Sequence, residues 1–80
     1  MSKNKSILIT GGCGFVGTNL AIYLKKELKN FSIYSVDILK KNYSKFNLNI
    51  LKKKKIVNYK IDITSKKFLG IKKKFDFIID

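Results

Sequence analysis

The sequence predicts an α/β domain in which about four parallel strands form a doubly wound sheet. Short apolar segments rich in β-branched residues alternate with longer helical or polar segments, and the connections between them are too long for hairpins. Parallel strands need such crossover connections, which are right-handed and usually helical. With 45% hydrophobic residues in 80, the chain is long enough for one small domain or a part of a larger one. We expect the strand order 3-2-1-4 that is usual in such sheets.

The first predicted strand is Ser6–Thr10, which is apolar apart from its two ends and suits a strand buried on both faces. A glycine-rich segment follows it directly. From Val16, just before the last of these glycines, apolar residues recur every four positions with Ala21 beside them, which predicts a core-facing helix that stops near Asn30. The apolar stripe of this predicted helix consists of Val16, Leu20, Leu24 and Leu28.

Phe31–Asp37 is predicted to be the second strand, and it ends in an acid. The asparagines and serine of the next segment favour a loop, with a short irregular helix around Phe46–Leu51. The charge run Lys52–Lys55 is interpreted as a solvated helix end and turn.

The third predicted strand, Ile56–Asp62, alternates in polarity and therefore suits a position at or near a sheet edge. Thr64 or Ser65 is expected to cap a short helix. Phe75–Asp80 is predicted to be the fourth strand. The apolar residues of the short helix are Phe68, Leu69 and Ile71.

Composition argues against several classes of function. The net charge of +13 suggests nucleic-acid binding, but every basic residue is lysine, and arginine is the side chain that binds phosphates and guanine bidentately. We therefore expect no nucleic acid as partner. The apolar runs are too short to span a membrane or to form a signal-peptide core, and a single cysteine forms no internal disulfide. We expect a cytoplasmic protein with no membrane partner.

The glycines carry the strongest functional signal. They form two overlapping spacings, Gly12-x-Gly14-x-x-Gly17 and Gly11-x-x-Gly14-x-x-Gly17, with Asp37 twenty residues beyond the last glycine. Together with the preceding strand and the following helix, this is the context of a dinucleotide-binding Rossmann fold. An early glycine permits the turn, a middle one allows close approach of a pyrophosphate, and the last lets the helix pack tightly on the sheet. The alternative is a glycine-rich turn without a ligand.

Two further features would complete such a site. The free N–H groups at the helix start, around Phe15 and Val16, would face the phosphates with the positive end of the helix dipole. Asp37 would accept hydrogen bonds from the adenosine ribose hydroxyls and repel a 2′-phosphate, which favours NAD over NADP, although nearby Lys40 and Lys41 weaken this preference. The alternative for Asp37 is an exposed acid that caps a strand end.

Asp62 and Cys13 are more ambiguous. Asp62 ends the third strand and would lie near the adenine, but it could equally be a turn acid or a partner for Thr64. Cys13 lies near a helix N-terminus, which lowers the pKa of a thiol. The chain contains no histidine that could act as its base, so we interpret Cys13 as a small filler in the loop.

These motifs resemble the NAD-dependent epimerase/dehydratase family, the extended short-chain dehydrogenases. Thr10–Gly17 is similar to the family's Thr-Gly-x-x-Gly-x-x-Gly signature, which Asn19-Leu20 continues, and Asp37 matches its acid after the second strand. Asp62-Ile63 is similar to the pair that contacts adenine in the family. The resemblance implies NAD as cofactor, nucleotide sugars as substrates, transient hydride transfer between sugar and NAD, and a possible homodimer of the full-length protein. The implied cofactor-binding residues are Gly11, Gly14, Phe15, Val16, Gly17, Asp37, Asp62 and Ile63.

Within the family, three segments resemble the CDP-paratose 2-epimerase (tyvelose epimerase) branch. They are Gly11–Gly17, Asn47-Leu48-x-x-Leu51 and Phe75–Asp80. Many other epimerases have histidine at the position of Asp80, so the aspartate at this position favours that branch. The resemblance implies an isomerase of nucleotide-sugar metabolism.

The family's catalytic Tyr-x-x-x-Lys pair is missing from the sequence, since none of the four tyrosines has a lysine four positions later. We therefore interpret residues 1–80 as the N-terminal part of a dinucleotide-binding domain, with the catalytic and substrate-binding regions absent and no metal site. Such a chain is not expected to be active alone. The alternatives are a non-catalytic NAD-binding module, a truncated inactive fragment and, less favoured, a basic nucleic-acid-binding protein.

Overall fold

The structure, a computed structural model, describes residues 5–80, so the charged start of the chain falls largely outside it. Strands and helices alternate along the chain, as predicted. The strands are β1 (Lys5–Thr10), β2 (Phe31–Val36), β3 (Val57–Tyr59) and β4 (Phe77–Ile79). The helices are α1 (Phe15–Glu27), α2 (Ser44–Lys53) and α3 (Lys66–Lys72). No helix of this part of the chain is long and apolar enough to cross a membrane.

The four strands form one parallel sheet in the order β3-β2-β1-β4. The predicted fold class and strand order are therefore confirmed. Central β1 pairs along its whole length with β2, from Lys5 opposite Phe31 to Thr10 opposite Val36. Because all strands are parallel, their carboxyl ends lie at one edge of the sheet, where α/β proteins bind their ligands.

Each face of the sheet has its own hydrophobic core. Alternate side chains of β1 point to opposite faces, so Ile7 and Ile9 pack toward α1 and α2 while Leu8 packs toward α3. This arrangement confirms that the first strand is buried on both faces. The buried residues of the α1/α2 face are Ile7, Ile9, Cys13, Ala21, Ile33, Leu51 and Ile56. Those of the α3 face are Leu8, Val36 and Phe68.

One residue of the apolar stripe predicted for helix α1 lies outside the core. Leu20, Leu24 and Leu28 pack against the core as expected. Val16, in contrast, is 75% exposed. The first turn of the helix borders an open cleft at the carboxyl edge of the sheet, so this side chain has no core to pack against. The most deeply buried residue of the helix is Ala21, whose small side chain lets α1 approach the sheet closely.

Helix α2 is longer and more regular than the sequence predicts. It covers Ser44–Lys53, whereas only a short irregular helix around Phe46–Leu51 was expected. Its asparagines favour a loop locally, but Leu51 is fully buried and Leu48 packs on the same core. Packing of an apolar face thus overrides weak helix propensity here. The lysine run ends this helix and forms the turn after it, as predicted.

The outer elements are shorter than predicted. β3 covers Val57–Tyr59 rather than the predicted Ile56–Asp62. β4 covers Phe77–Ile79 rather than the predicted Phe75–Asp80. Within residues 5–80 each of these strands pairs with a single neighbour, which limits its length. The predicted edge position of the third strand is confirmed.

The short third helix has the predicted cap but buries fewer side chains than expected. The Ser65 side chain caps α3 by accepting a hydrogen bond from the Phe68 N–H at 3.3 Å. Phe68 is buried and Ile71 packs on the same cluster, whereas Leu69 is half exposed. Side chains three positions apart share one helix face, so Leu69 falls beside the face that meets the sheet.

Candidate functional site

The loop between β1 and α1 lies at the carboxyl edge of the sheet and folds tightly on itself. Gly11 has a φ of 65°, a left-handed conformation that favours glycine, and its N–H donates to the Val36 carbonyl at 2.9 Å. The Gly14 N–H then donates back to the Gly11 carbonyl at 2.9 Å. The predicted role of an early glycine in the turn out of the strand is therefore confirmed, and the residue concerned is Gly11.

Two other glycines are required by close packing. A Cβ on Gly17 would clash with the Gly11 carbonyl oxygen and lie 2.9 Å from the Gly12 Cα, so this glycine lets α1 approach the loop itself. A Cβ on Gly12 would clash with the Ser35 side chain of β2 and lie 3.2 Å from the Ser35 Cα. Gly12 therefore serves loop-to-sheet packing, and the contact of Gly17 is with the loop rather than with the strands.

The start of α1 offers free hydrogen-bond donors. Gly14 is the N-cap, no side chain caps the helix and its first turn contains no acid. The backbone N–H groups of Phe15, Val16 and Gly17 have no acceptor in the part of the chain that the structure describes. They border a cleft of about 450 Å³. Its lining residues include Thr10, Gly11, Gly14, Phe15, Val16, Gly17 and Asp80. Such a helix start, with its positive dipole end, suits an anion.

Asp37 lies directly beyond β2, and the structure brings it to the glycine loop. One carboxylate oxygen, Oδ2, accepts a hydrogen bond from the Cys13 N–H at 3.0 Å, and the other, Oδ1, accepts one from the Leu39 N–H at 2.8 Å. The side chain is half-buried. Each oxygen of an ionised carboxylate has a second lone pair, so Asp37 can still accept hydrogen bonds from a ligand.

Asp62 and Ile63 follow β3 and occupy different surroundings. Asp62 is exposed, and its Oδ1 accepts hydrogen bonds from the Thr64 hydroxyl at 2.7 Å and the Thr64 N–H at 2.8 Å. These bonds, the hydroxyl's first, lower the pKa of Asp62. The contact with Thr64 that the alternative interpretation expects is therefore present, and the contact of Asp62 with adenine stays a prediction. Ile63 borders a second cavity, of about 400 Å³, whose lining also includes Thr10 and Asp80.

Cys13 is a buried filler, as predicted. Its side chain is fully buried. Burial first, and then the nearby Asp37 carboxylate, raise the pKa of its thiol to about 11, against a lowering hydrogen bond with Ser35. At neutral pH the thiol is therefore protonated and a poor nucleophile.

Sequence reasoning missed the polar side chains that hold the loop. The Asn47 amide Nδ2 donates to the Cys13 carbonyl at 2.8 Å, and the buried Thr18 hydroxyl donates to the Gly12 carbonyl at 2.8 Å. An asparagine 34 residues beyond Cys13 gives no signal in a single sequence that it contacts the loop. A threonine one residue after the last glycine gives only a weak one, since its hydroxyl can reach back toward the preceding turn.

A related pair of side chains lies under the loop, between β2 and β3. The Ser35 hydroxyl donates to Asn58 Oδ1 at 2.6 Å, and Asn58 Nδ2 donates to the Asp37 carbonyl at 3.3 Å.

Among residues 5–80 the structure contains no cluster of three or more His, Cys, Asp or Glu side chains that could hold a metal ion.

The family comparison agrees with this geometry. The family model of the NAD dependent epimerase/dehydratase family matches residues 7–80. The chain belongs to this family. The matched residues contain most of β1, the glycine loop and Asp37, which form the site described above.

Two named proteins are similar to this chain. A dTDP-D-glucose 4,6-dehydratase from Dictyostelium discoideum is 40% identical over 79 residues, which cover 94% of this chain and 18% of the dehydratase. The crystal structure of the Helicobacter pylori ADP-L-glycero-D-manno-heptose-6-epimerase superposes with a TM-score of 0.74 at 32% identity, over 95% of this chain and 25% of the epimerase. The chain therefore spans a quarter or less of each relative. The Rossmann-like α/β fold of this chain matches that of the Helicobacter pylori epimerase.

Proposed function

We propose that this chain forms part of the NAD-binding region of a nucleotide-sugar epimerase or dehydratase. One observation carries the proposal: the N–H groups of Phe15, Val16 and Gly17 lack acceptors and border a cleft, while Asp37 lies beside the same loop. Free donors at the positive end of a helix suit a pyrophosphate, and an adjacent carboxylate suits ribose hydroxyls.

The residues of the site fit this cofactor. The first turn of α1 would bind the pyrophosphate, and Gly14 offers a loop backbone without a side chain, since even a Cβ there would lie 3.2 Å from the Gly11 carbonyl oxygen. Asp37 would accept hydrogen bonds from the adenosine ribose, and Asp62 and Ile63 would lie toward the adenine. In the full-length protein, the chemistry that a bound NAD would supply is the reversible acceptance of a hydride from the sugar.

The choice of NAD over NADP rests on Asp37. Its half-buried carboxylate is held by two backbone N–H groups, so it cannot easily turn away from a ribose beside the loop. A 2′-phosphate on that ribose would meet a fixed negative charge at short range. The positive charges of nearby Lys40 and Lys41 would weaken this preference for NAD.

Substrate, catalysis and assembly are proposed for the full-length protein. The names of both relatives describe enzymes of nucleotide-linked sugars, which supports that substrate class. The CDP-paratose 2-epimerase branch stays a prediction, as do the cytoplasmic location, the homodimer and the lack of nucleic-acid and membrane partners. The catalytic Tyr-x-x-x-Lys pair would be supplied by residues outside this sequence. A non-catalytic NAD-binding module and an inactive fragment would share this site but lack that pair.

The test is calorimetric titration of the chain with NAD and with NADP. We expect NAD to bind at least tenfold more tightly, because a 2′-phosphate would face Asp37. Asp37→Asn should weaken NAD binding and reduce the preference over NADP, while Glu27→Gln, the same charge change at the exposed end of α1, should leave both unchanged. Failure of the unmodified chain to bind NAD, or an unchanged preference in Asp37→Asn, would contradict the proposal.

A further inference from the structure

We propose that Asn47 is a positioning residue that holds the Cys13–Gly14 peptide in the orientation that a bound pyrophosphate requires. The inference rests on the proposed function, since it concerns the same loop. The proposed role connects α2, none of whose residues lines the cleft, to the cofactor site. The observation behind it is the hydrogen bond from Asn47 Nδ2 to the Cys13 carbonyl at 2.8 Å.

The two polar groups of this peptide are held from opposite sides. Its carbonyl, on Cys13, accepts from Asn47, and its N–H, on Gly14, donates to the Gly11 carbonyl at 2.9 Å. In a trans peptide the carbonyl and the N–H point in opposite directions, so these two bonds together fix the plane of the peptide. Asn47 donates from its amide nitrogen, the only part of that side chain that can donate to a carbonyl.

Without this bond, only the Gly14 N–H bond to the Gly11 carbonyl would hold the peptide in its present orientation. Turning it over changes the φ of Gly14, now −79°, toward the left-handed region, which glycine adopts readily. The Cys13 carbonyl would then point toward the Gly11 carbonyl, in the part of the loop that lines the cleft. Carbonyl oxygens facing that cleft would repel a phosphate, whereas in the present orientation the free N–H groups of the first turn of α1 border it.

The neighbouring peptide is held by a different element. The Cys13 N–H donates to Asp37 at 3.0 Å, so the end of β2 holds one side of Cys13 and α2 holds the other. Bound NAD would engage Asp37 directly. Asn47 does not line the cleft, so its side chain would act on the cofactor through the Cys13 carbonyl of the loop that it holds.

The experiment compares Asn47→Asp and Asn47→Ala with Asn49→Asp, which makes the same charge change at an exposed position of the same helix. The readouts are the NAD dissociation constant, the melting temperature and hydrogen exchange at the Gly14 amide in the absence of NAD. We expect Asn47→Asp to weaken NAD binding about tenfold, because it loses the donor and brings a carboxylate to the Cys13 carbonyl. Asn47→Ala should weaken it about threefold, and Asn49→Asp should leave it unchanged.

Hydrogen exchange separates positioning from general stability. In both Asn47 variants the Gly14 amide should exchange about tenfold faster, while the amides of β1 keep their protection. Equal NAD affinity and equal Gly14 exchange in Asn47→Asp and Asn49→Asp would overturn the inference. If Asn47→Asp does not fold, Asn47→Ala decides by the same two readouts. If the unmodified chain binds no NAD, the proposed function fails, and Gly14 exchange alone decides: faster exchange supports the positioning role, and unchanged exchange overturns it.

Discussion

Two helical glycines should respond in opposite ways to the same substitution, Gly→Ala. Gly17 lies in the first turn of α1, where an added Cβ would clash with the Gly11 carbonyl oxygen and lie 2.9 Å from both the Gly11 carbonyl carbon and the Gly12 Cα. Gly70 lies inside α3, where an added Cβ would meet no atom within 4 Å. The pair separates helix propensity from close packing, since the chemical change is identical.

The magnitudes follow from the surroundings of each Cβ. Alanine is favoured over glycine inside a helix by about 1 kcal/mol, so Gly70→Ala should stabilise the protein by about 0.5–1 kcal/mol. Gly17→Ala gains no more than that, but it must displace backbone, and overpacking of this kind costs about 1–3 kcal/mol or more. We therefore expect a net destabilisation of about 1–2 kcal/mol. The melting temperature should fall by about 5–15 °C in Gly17→Ala and rise by about 3–6 °C in Gly70→Ala.

The assay is urea and thermal unfolding of both variants, followed by far-ultraviolet circular dichroism. NAD titration of the same samples adds a second readout, because displacement of the glycine loop should weaken binding in Gly17→Ala and not in Gly70→Ala. A rise in melting temperature in Gly17→Ala comparable with that in Gly70→Ala would refute the reasoning, since it would mean that α1 does not approach the loop as closely as described.

Three further predictions concern the loop and the cap of α3. Because burial and the nearby Asp37 raise the pKa of Cys13 to about 11, its thiol should react slowly with Ellman's reagent in the folded protein and rapidly in urea; equal rates would contradict this. Thr64→Val should raise the pKa of Asp62, followed by NMR titration. Since folding lowers that pKa, its contribution to stability is present above the ordinary value of 3.8 and is lost as the pH falls below it; an unchanged pKa in Thr64→Val would refute the assignment. Ser65→Ala should destabilise the protein by about 1 kcal/mol in urea unfolding, and no loss would show that the cap is not needed.

Most of the confirmed predictions depend on residues that lie close together in the chain. The apolar segment before the glycines, the helical stripe after them and Asp37 at the end of the next strand predict the fold because each depends on local spacing. The alternation of elements also predicts parallel strands, and their order is the one that is usual in such sheets. The cap at Ser65 is a local signal as well, and the structure confirms it.

The errors have a common cause in packing between distant segments. The sequence predicts too short a helix α2, because its asparagines favour a loop until Leu51 is buried against the sheet. The prediction that Val16 lies in the core is wrong, because helical periodicity does not show where the sheet beneath a helix ends. The predicted β3 and β4 are too long, because strand length depends on the number of paired neighbours.

By itself the sequence determined that the chain begins with the strand, glycine loop and helix of a dinucleotide-binding fold. It also placed Asp37 at the distance from the last glycine that such a fold requires. Only the tertiary structure decided how these parts meet. Parallel pairing of β1 with β2 brings Asp37 within 3.0 Å of the Cys13 nitrogen, and the packing of α2 brings the Asn47 amide to the Cys13 carbonyl. Such contacts span 24 and 34 residues of chain, and no local spacing encodes them because they depend on which elements become neighbours in the sheet and its covering layer.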